Sequence, residues 1–282
     1  MKNTKKILPI ASLCAAAAAT IFRVFQLLIT VDYNEMGFYS SEAGFVTTHG
    51  VYLFLLIAAA VFIAAVFIDK KNANAAYIGG TGDLTSKQTA VFGLSFLAAA
   101  CLKFYMLVFS FKGFGVDFFG EAVIFAVFAA IGFILLGSKK IKPFVGYLML
   151  LISISYTLKS ASLFMGDTII TRVSDELLLL LSYVSAVFFF LSLGRYFSDN
   201  ESKDTRKKLL FFASVSACLS ACASLAGYIA LIIDGAYMKE HMEQHPVSEI
   251  GIIIIAFTVI FTLYGKKTTL LETDNENDDE NA

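Results

Sequence analysis

The chain has 282 residues, of which 57% are apolar and only 16% are charged. A soluble domain of this length is closer to half apolar and a quarter charged, and each helix that crosses a bilayer needs roughly 20 apolar residues in a row. The formal net charge of -1 argues against a nucleic-acid partner. The composition predicts an all-α integral membrane protein in contact with the lipid bilayer.

Eight apolar runs follow one another along the chain and predict about eight transmembrane helices. The runs cover residues 7–31, 45–68, 89–111, 120–136, 144–165, 176–197, 208–233 and 248–264. Sixteen of the 22 basic residues lie before the first run, after the last run, or in alternate connections and the run ends beside them. Because cytoplasmic segments are enriched in Lys and Arg, we predict cytoplasmic termini at both ends. The expected location is the bacterial plasma membrane.

The first apolar run begins like a signal peptide, with basic residues, an apolar stretch and then alanines. The run continues past these alanines to Val31, and the pattern of its hairpin recurs later in the chain. We therefore expect the first helix to be retained within a polytopic transmembrane domain over residues 1–267. Residues 268–282 are acidic and polar, and they predict a disordered cytoplasmic tail able to contact a membrane protein partner.

A repeated pattern predicts that the eight helices form four helical hairpins. The second helix of each hairpin begins near a glutamate that directly follows a Ser, Gly or Asp. These glutamates are Glu42, Glu121, Glu176 and Glu249. A carboxylate at this position is favourable because it meets the positive end of the helix dipole. In three hairpins a cation precedes the glutamate by 17 to 19 residues, at Arg23, Lys103 and Lys159. The fourth hairpin has Tyr228 near the corresponding depth.

These three cations fall inside the apolar runs, where each costs roughly 2.5–3.5 kcal/mol unless it finds a partner or water. In one arrangement, each cation snorkels outward to an acid of its own hairpin. The candidate pairs are Arg23 with Asp32 or Glu42, Lys103 with Asp117 or Glu121, and Lys159 with Asp175 or Glu176. In the other arrangement, the cations converge on an outward-open polar pocket and bind an anion.

Polar residues around the cations favour a pocket of some kind. Ser155 and Tyr156 belong to a polar stretch of the fifth run, and Gln26 lies one turn from Arg23. We therefore predict that Arg23, Lys103 and Lys159 bind a ligand that Gln26, Ser155 and Tyr156 orient. This set predicts a transporter or solute-binding membrane subunit for a small anionic or zwitterionic molecule.

The alternative function is a non-catalytic membrane sensor, scaffold or assembly partner, in which the same charges hold the hairpins together. A third hypothesis is an intramembrane enzyme that acts on lipid or an anionic headgroup. The sequence contains no recognisable nucleophile, metal cluster or acid–base pair, so it favours a protein that is not an enzyme and predicts no catalytic residue or cofactor. His241 and His245 have the i, i+4 spacing that suits a divalent ion, but a defined third ligand is missing. We expect a solvated loop there and no metal site.

Small residues recur at every fourth position of the seventh run, at Ser214, Cys218, Cys222 and Ala226. Such a stripe lets membrane helices approach closely. Because no His or acid accompanies the two cysteines, the pattern favours helix packing over a metal or redox site.

The first hairpin contains R-V-F-Q from Arg23 to Gln26, followed by D-Y-N-E-M-G-F-Y from Asp32 to Tyr39. It resembles a segment of uncharacterised multi-pass membrane proteins of bacteria, which carry R-x-x-Q and then D…G-F-Y near the first outer loop. The resemblance is confined to this hairpin and implies a membrane location but no activity.

Overall fold

The computed structural model describes residues 7–32, 38–39, 44–68, 84–109, 116–138, 143–166, 173–198, 205–234 and 246–263. Helices make up nearly all of these ranges, and two short strands, Val31–Asp32 and Phe38–Tyr39, pair antiparallel. Seven helices are long and apolar enough to cross a membrane, and a shorter apolar helix ends at Leu263. The architecture is that expected of a multi-pass membrane protein.

The eight predicted runs correspond one to one to eight helices of the structure. The first six are α1 (Ile7–Ile29), α2 (Phe45–Ile63, extended by the π-helical segment Ala64–Ile68), α3 (Ser86–Phe109), α4 (Val116–Gly137), α5 (Phe144–Gly166) and α6 (Val173–Phe197). The last two are α7, which joins Thr205–Ser220, the π-helical segment Ala221–Leu225 and Ala226–Ile233, and α8 (Ile250–Leu263), which follows the 3-10 turn Val247–Glu249. An apolar run of this length is sufficient to predict each helix because a bilayer favours satisfied backbone hydrogen bonds.

One detail of the predicted helix ends is wrong. Helix α4 begins at Val116, four residues before the predicted start, so Glu121 lies inside the helix and does not cap it. The difference arises because Val116, Phe118 and Phe119, which precede the predicted start, are apolar as well and belong to the helix.

Helices α3 to α8 form a closed ring of contacts. Each packs against the next helix in the chain, and α8 packs back against α3. Helices α1 and α2 pack against each other and against α7, so they lie beside the ring. Helix α7 is 72% buried, the highest fraction among the seven long spans. It packs against α6 and α8 within the ring and also against α1 and α2.

Glycines permit the closest approaches between helices of the ring. A Cβ built on Gly132 of α4 would lie 2.6 Å from the side chain of Leu97 in α3. A Cβ built on Gly146 of α5 would lie 2.6 Å from the carbonyl oxygen of Gly194 in α6. Small residues drive such contacts in membranes, where lipid provides no hydrophobic contrast between helices. The glycines therefore set the spacing within two of the hairpins.

The small-residue stripe of α7 is buried along its length, in agreement with the packing interpretation. Its members Ser214, Cys218, Cys222 and Ala226 are at most 2% exposed. The hydroxyl of Ser12 in α1 donates to the hydroxyl oxygen of Ser214 at 2.9 Å. The stripe therefore serves as the surface on which α7 meets its neighbours.

Candidate functional site

Four ionisable side chains from four parts of the ring meet at one place. We call Lys103 of α3, Glu121 of α4, Lys159 of α5 and Glu249, next to α8, the charge cluster. The Nζ atom of Lys103 lies 2.8 Å from Glu121 Oε2 and 3.0 Å from Glu249 Oε1. The Nζ atom of Lys159 contacts Glu121 Oε1 and lies 3.4 Å from Glu249 Oε1. Each glutamate therefore bridges both lysines.

The charge cluster is largely shielded from solvent. The side chains of Lys103 and Glu249 are fully buried, that of Lys159 is 10% exposed and that of Glu121 is 18% exposed. A buried ion requires a well-placed partner to offset its desolvation. The two ammonium and two carboxylate groups sum to zero charge, which explains how all four can be buried together. Glu121 lies on the most accessible side.

The rings of two tyrosines lie close to the lysines of the charge cluster. The hydroxyl of Tyr156 donates to Glu249 Oε2 at 3.2 Å. The Nζ atoms of Lys103 and Lys159 lie 5.4 and 5.5 Å from the centroid of the Tyr156 ring. Lys159 Nζ also lies 4.5 Å from the centroid of the Tyr183 ring. Because an aromatic face attracts a cation, both rings stabilise the charged form of the lysines.

The positions of the four charges along their helices bring them to the same end of the ring. Lys103 and Lys159 lie near the ends of α3 and α5, whereas Glu121 and Glu249 lie near the starts of α4 and α8. Antiparallel neighbours put the end of one helix beside the start of the next. The contacts between consecutive helices, and between α8 and α3, therefore bring the four charges together.

A π-helical segment of α7 helps to position Glu249. The hydroxyl of Ser224, within Ala221–Leu225, donates to the carbonyl oxygen of Pro246 at 2.7 Å. Pro246 directly precedes the 3-10 turn Val247–Glu249, which carries Ser248 and Glu249. The hydroxyl of Ser248 accepts from Lys103 Nζ at 3.0 Å, so this turn provides two oxygen ligands for one lysine. π-Helical segments often occur at functional sites.

The structure places the lysines partly as the hairpin pattern predicted. Lys103 meets Glu121 of its own hairpin, one of the two acids expected for it. Lys159 meets Glu121 of the preceding hairpin and Glu249 of the last hairpin. Glu176 lies in the first turn of α6, and its pairing with Lys159 stays a prediction. The lysines are therefore connected between hairpins as well as within one.

Arg23 lies where α1 meets its neighbours, and it is 1% exposed. Its Nη1 donates to Gln26 Oε1, and Gln26 Nε2 donates to the carbonyl oxygen of Thr48 in α2 at 2.9 Å. These contacts connect α1 with α2. The structure thus brings Lys103 and Lys159 together and places Arg23 with Gln26 in the first hairpin.

The remaining predicted site residues fall into two groups. Ser155 is buried beside Tyr156, and its hydroxyl donates to the carbonyl oxygen of Leu151 in the same helix at 3.0 Å. Glu42, the side chain of Asp117, and the pair His241 and His245 lie outside what the structure describes. The roles predicted for these residues stay predictions.

The candidate-site prediction missed three residues of this region: Glu249, Ser248 and Tyr183. A signal for Glu249 was present, because the Ser248–Glu249 pair repeats the start of the other returning helices. The fourth hairpin has no cation at the matching depth, which leaves its glutamate available to lysines of other hairpins. Tyr183 belongs to no recognisable motif, and its place depends only on how α6 packs beside α5.

One cavity of about 180 Å³ lies between α1 and α2, the two helices beside the ring. Phe22, Phe25 and Val46 contribute to its apolar wall, and Gln26 provides a polar group. Within the described part of the chain, no group of three or more His, Cys, Asp or Glu residues is arranged to hold a metal ion. The charge cluster is therefore the site whose chemistry can be argued furthest.

No protein-family model matches the chain, and neither the curated proteins nor the solved structures include a significant match. The resemblance of the first hairpin to bacterial membrane proteins stays confined to that motif. Any function must therefore be argued from the charge cluster itself.

Proposed function

We propose that this protein is a transporter, or a solute-binding membrane subunit, for a small anionic or zwitterionic molecule that binds at the charge cluster. One observation supports this most directly: Lys103 and Lys159 come from different hairpins and converge on the same two carboxylates within a ring of six helices. Ionisable groups inside membrane segments are costly and are usually retained for a function.

In this proposal the protein lies in the bacterial plasma membrane, its helices form repeated hairpins, and both of its termini are cytoplasmic. It also includes a transmembrane domain over residues 1–267 with a disordered acidic tail after it. Sites between repeated helical units are common in transporters.

The charge cluster already contains the interactions that a ligand carboxylate requires. A single oxygen of Glu249 lies 3.0 Å from Lys103 Nζ and 3.4 Å from Lys159 Nζ. A carboxylate from a ligand would make similar charge-assisted hydrogen bonds if it took the place of one glutamate. In this proposal the Tyr156 hydroxyl orients the bound groups. Arg23 and Gln26 support the first hairpin, and no role in ligand contact is assigned to Ser155.

A second function has a specific observation in its favour. The four charges are mutually paired and largely buried, and they join α3, α4, α5 and the turn before α8. A membrane scaffold or sensor could use such a cluster purely to hold its helices in register. In that case the tail and the exposed helix surfaces would contact a protein partner, and no solute would bind.

A thermal-stability screen of the purified protein separates these two functions. The compounds are amino acids, carboxylates and phosphorylated small molecules, each tested with the wild type, Lys159→Met and Arg195→Gln. Arg195 is exposed near the end of α6 and provides a matched loss of one positive charge. A ligand at 100 times its Kd stabilises the folded state by about 2.7 kcal/mol. For a chain of this size, that raises the Tm by several degrees.

We expect at least one compound to raise the Tm of the wild type and of Arg195→Gln. The same compound should have no effect on folded Lys159→Met. An equal shift in all three proteins would place the ligand elsewhere. If no compound shifts the wild type, the scaffold function is supported.

A further inference from the structure

We propose that the ligand of the charge cluster is a small zwitterion of the α-amino acid class, and that its carboxylate replaces Glu121 between the two lysines. This inference rests on the proposed function, since it assumes that a solute binds at the cluster. It narrows the ligand from any anionic or zwitterionic molecule to one that carries a carboxylate and an ammonium group close together.

The charge balance of the cluster favours a zwitterion. Two lysines and two glutamates sum to zero, and Lys103 and Glu249 are fully buried. Adding a simple carboxylate would leave one net negative charge in this environment, and adding a simple amine would leave one net positive charge. An uncompensated buried charge is strongly unfavourable. A zwitterion adds one charge of each sign and preserves the balance.

The two glutamates of the cluster differ in burial and in contacts. Glu249 is fully buried and contacts both lysines, the hydroxyl of Tyr156 and the hydroxyl of Ser248. Glu121 contacts the same two lysines and is 18% exposed. A ligand that arrives from the accessible side therefore meets Glu121 first. Glu121 is the exchangeable partner, whereas Glu249 remains in place.

The exchange leaves every charge with a partner. The ligand carboxylate would contact Lys103 Nζ and Lys159 Nζ in place of Glu121, which now forms an ion pair with Lys103 and accepts a hydrogen bond from Lys159. The displaced carboxylate of Glu121 then accepts from the ligand ammonium group. In an α-amino acid the two charged groups share one carbon, so both remain within the cluster. No proton transfer is required.

The test uses three probes with matched carbon skeletons. For the amino acid that raises the Tm of the purified wild type most, the deamino carboxylate and the decarboxylated amine are compared with it at equal concentrations. For alanine these are propionate and ethylamine. We expect the amino acid to bind at least tenfold more tightly than either analogue. We also expect its midpoint concentration to change by less than about twofold between pH 6 and pH 8, since no proton is taken up.

The Glu121→Gln variant provides a second measurement, with Asp234→Asn as the control. Asp234 is exposed at the end of α7, so its substitution removes a negative charge outside the cluster. Glu121→Gln leaves the cluster with one net positive charge. The preference should therefore shift toward the deamino carboxylate by at least tenfold, whereas Asp234→Asn should retain the wild-type preference.

The possible failures are distinguishable. If the wild type prefers the deamino carboxylate and binds it more tightly as the pH falls, an anion and a proton bind together. The zwitterion inference is then overturned while the proposed function stands. If no probe and no amino acid shifts either the wild type or Glu121→Gln, both are overturned. If Glu121→Gln does not fold, the comparison of the three probes on the wild type decides the question alone.

Discussion

The Oε1 atom of Glu249 lies 3.0 Å from the Nζ atom of Lys103, although 146 residues separate them in the chain. This contact closes the ring between α8 and α3, and it is supported by a close approach of the same helices. A Cβ built on Gly251 would lie 2.8 Å from the Cβ of Ala99. The hairpin that lacks a buried cation thus provides the second carboxylate for the lysines of two other hairpins.

Removing one charge of the cluster should destabilise the protein more than removing a pair. Lys103→Met leaves two carboxylates with one lysine, and the loss of one partner from a buried pair costs roughly 3–5 kcal/mol. The double variant Lys103→Met/Glu121→Gln retains the Lys159–Glu249 contact, and the net charge of the charge cluster stays zero. We expect it to recover part of the lost stability, as measured by thermal unfolding of the purified protein. If the two substitutions are simply additive, the charges are not coupled.

Exchanging the charges of Lys103 and Glu121 should not preserve stability, although the two form a pair within one hairpin. A glutamate at position 103 would face Glu249, whose Oε1 now lies 3.0 Å from the lysine nitrogen. A lysine at position 121 would face Lys159. We expect the swapped protein to have a lower Tm than Lys103→Met/Glu121→Gln. A swapped protein as stable as the wild type would contradict the contact between α3 and the turn before α8.

The support of Glu249 by α7 can be tested with two buried serines of that helix. Ser224→Ala removes the hydrogen bond to the carbonyl oxygen of Pro246 and should cost about 1 kcal/mol. It should also weaken ligand binding, because the turn that carries Glu249 loses an anchor. In Ser216, the hydroxyl has no hydrogen-bond partner among the residues that the structure describes. Ser216→Ala should therefore leave the Tm and the binding unchanged. Equal effects of both substitutions would assign the loss to helix packing in general.

The close approach of α5 and α6 at their glycines predicts that an added methyl group there will force the two helices apart. In Gly146→Ala the new methyl group would lie 2.6 Å from the carbonyl oxygen of Gly194, so the helices must separate. Overpacking of this kind typically costs 1–3 kcal/mol. Gly120 of α4 has nothing within 4 Å of the corresponding position. Gly120→Ala should be neutral or stabilising by about 1 kcal/mol, because alanine favours the helix. Unfolding of the two variants in the same detergent compares them directly.

The number and approximate extent of the helices were accessible from the sequence, since bilayer thickness imposes a local requirement on apolar length. The apolar run predicted at residues 144–165, for example, becomes the helix Phe144–Gly166. The similar depth of the three cations within their apolar runs could also be predicted from the sequence, because the rise per residue along a helix is constant. Lys103 and Glu121 lie on consecutive helices, and their contact is one of the two pairings that the sequence predicted for Lys103.

Only the tertiary structure decided which charges share a site. Lys159 meets carboxylates from α4 and from the turn before α8, while Arg23 donates a hydrogen bond to Gln26 of its own helix. The three cations occupy similar positions in their hairpins, so local spacing could not distinguish them. Their different surroundings result from the closure of α8 onto α3 and the packing of α1 against α7. Those contacts depend on the shapes of whole helix surfaces, which bring together residues far apart in the chain.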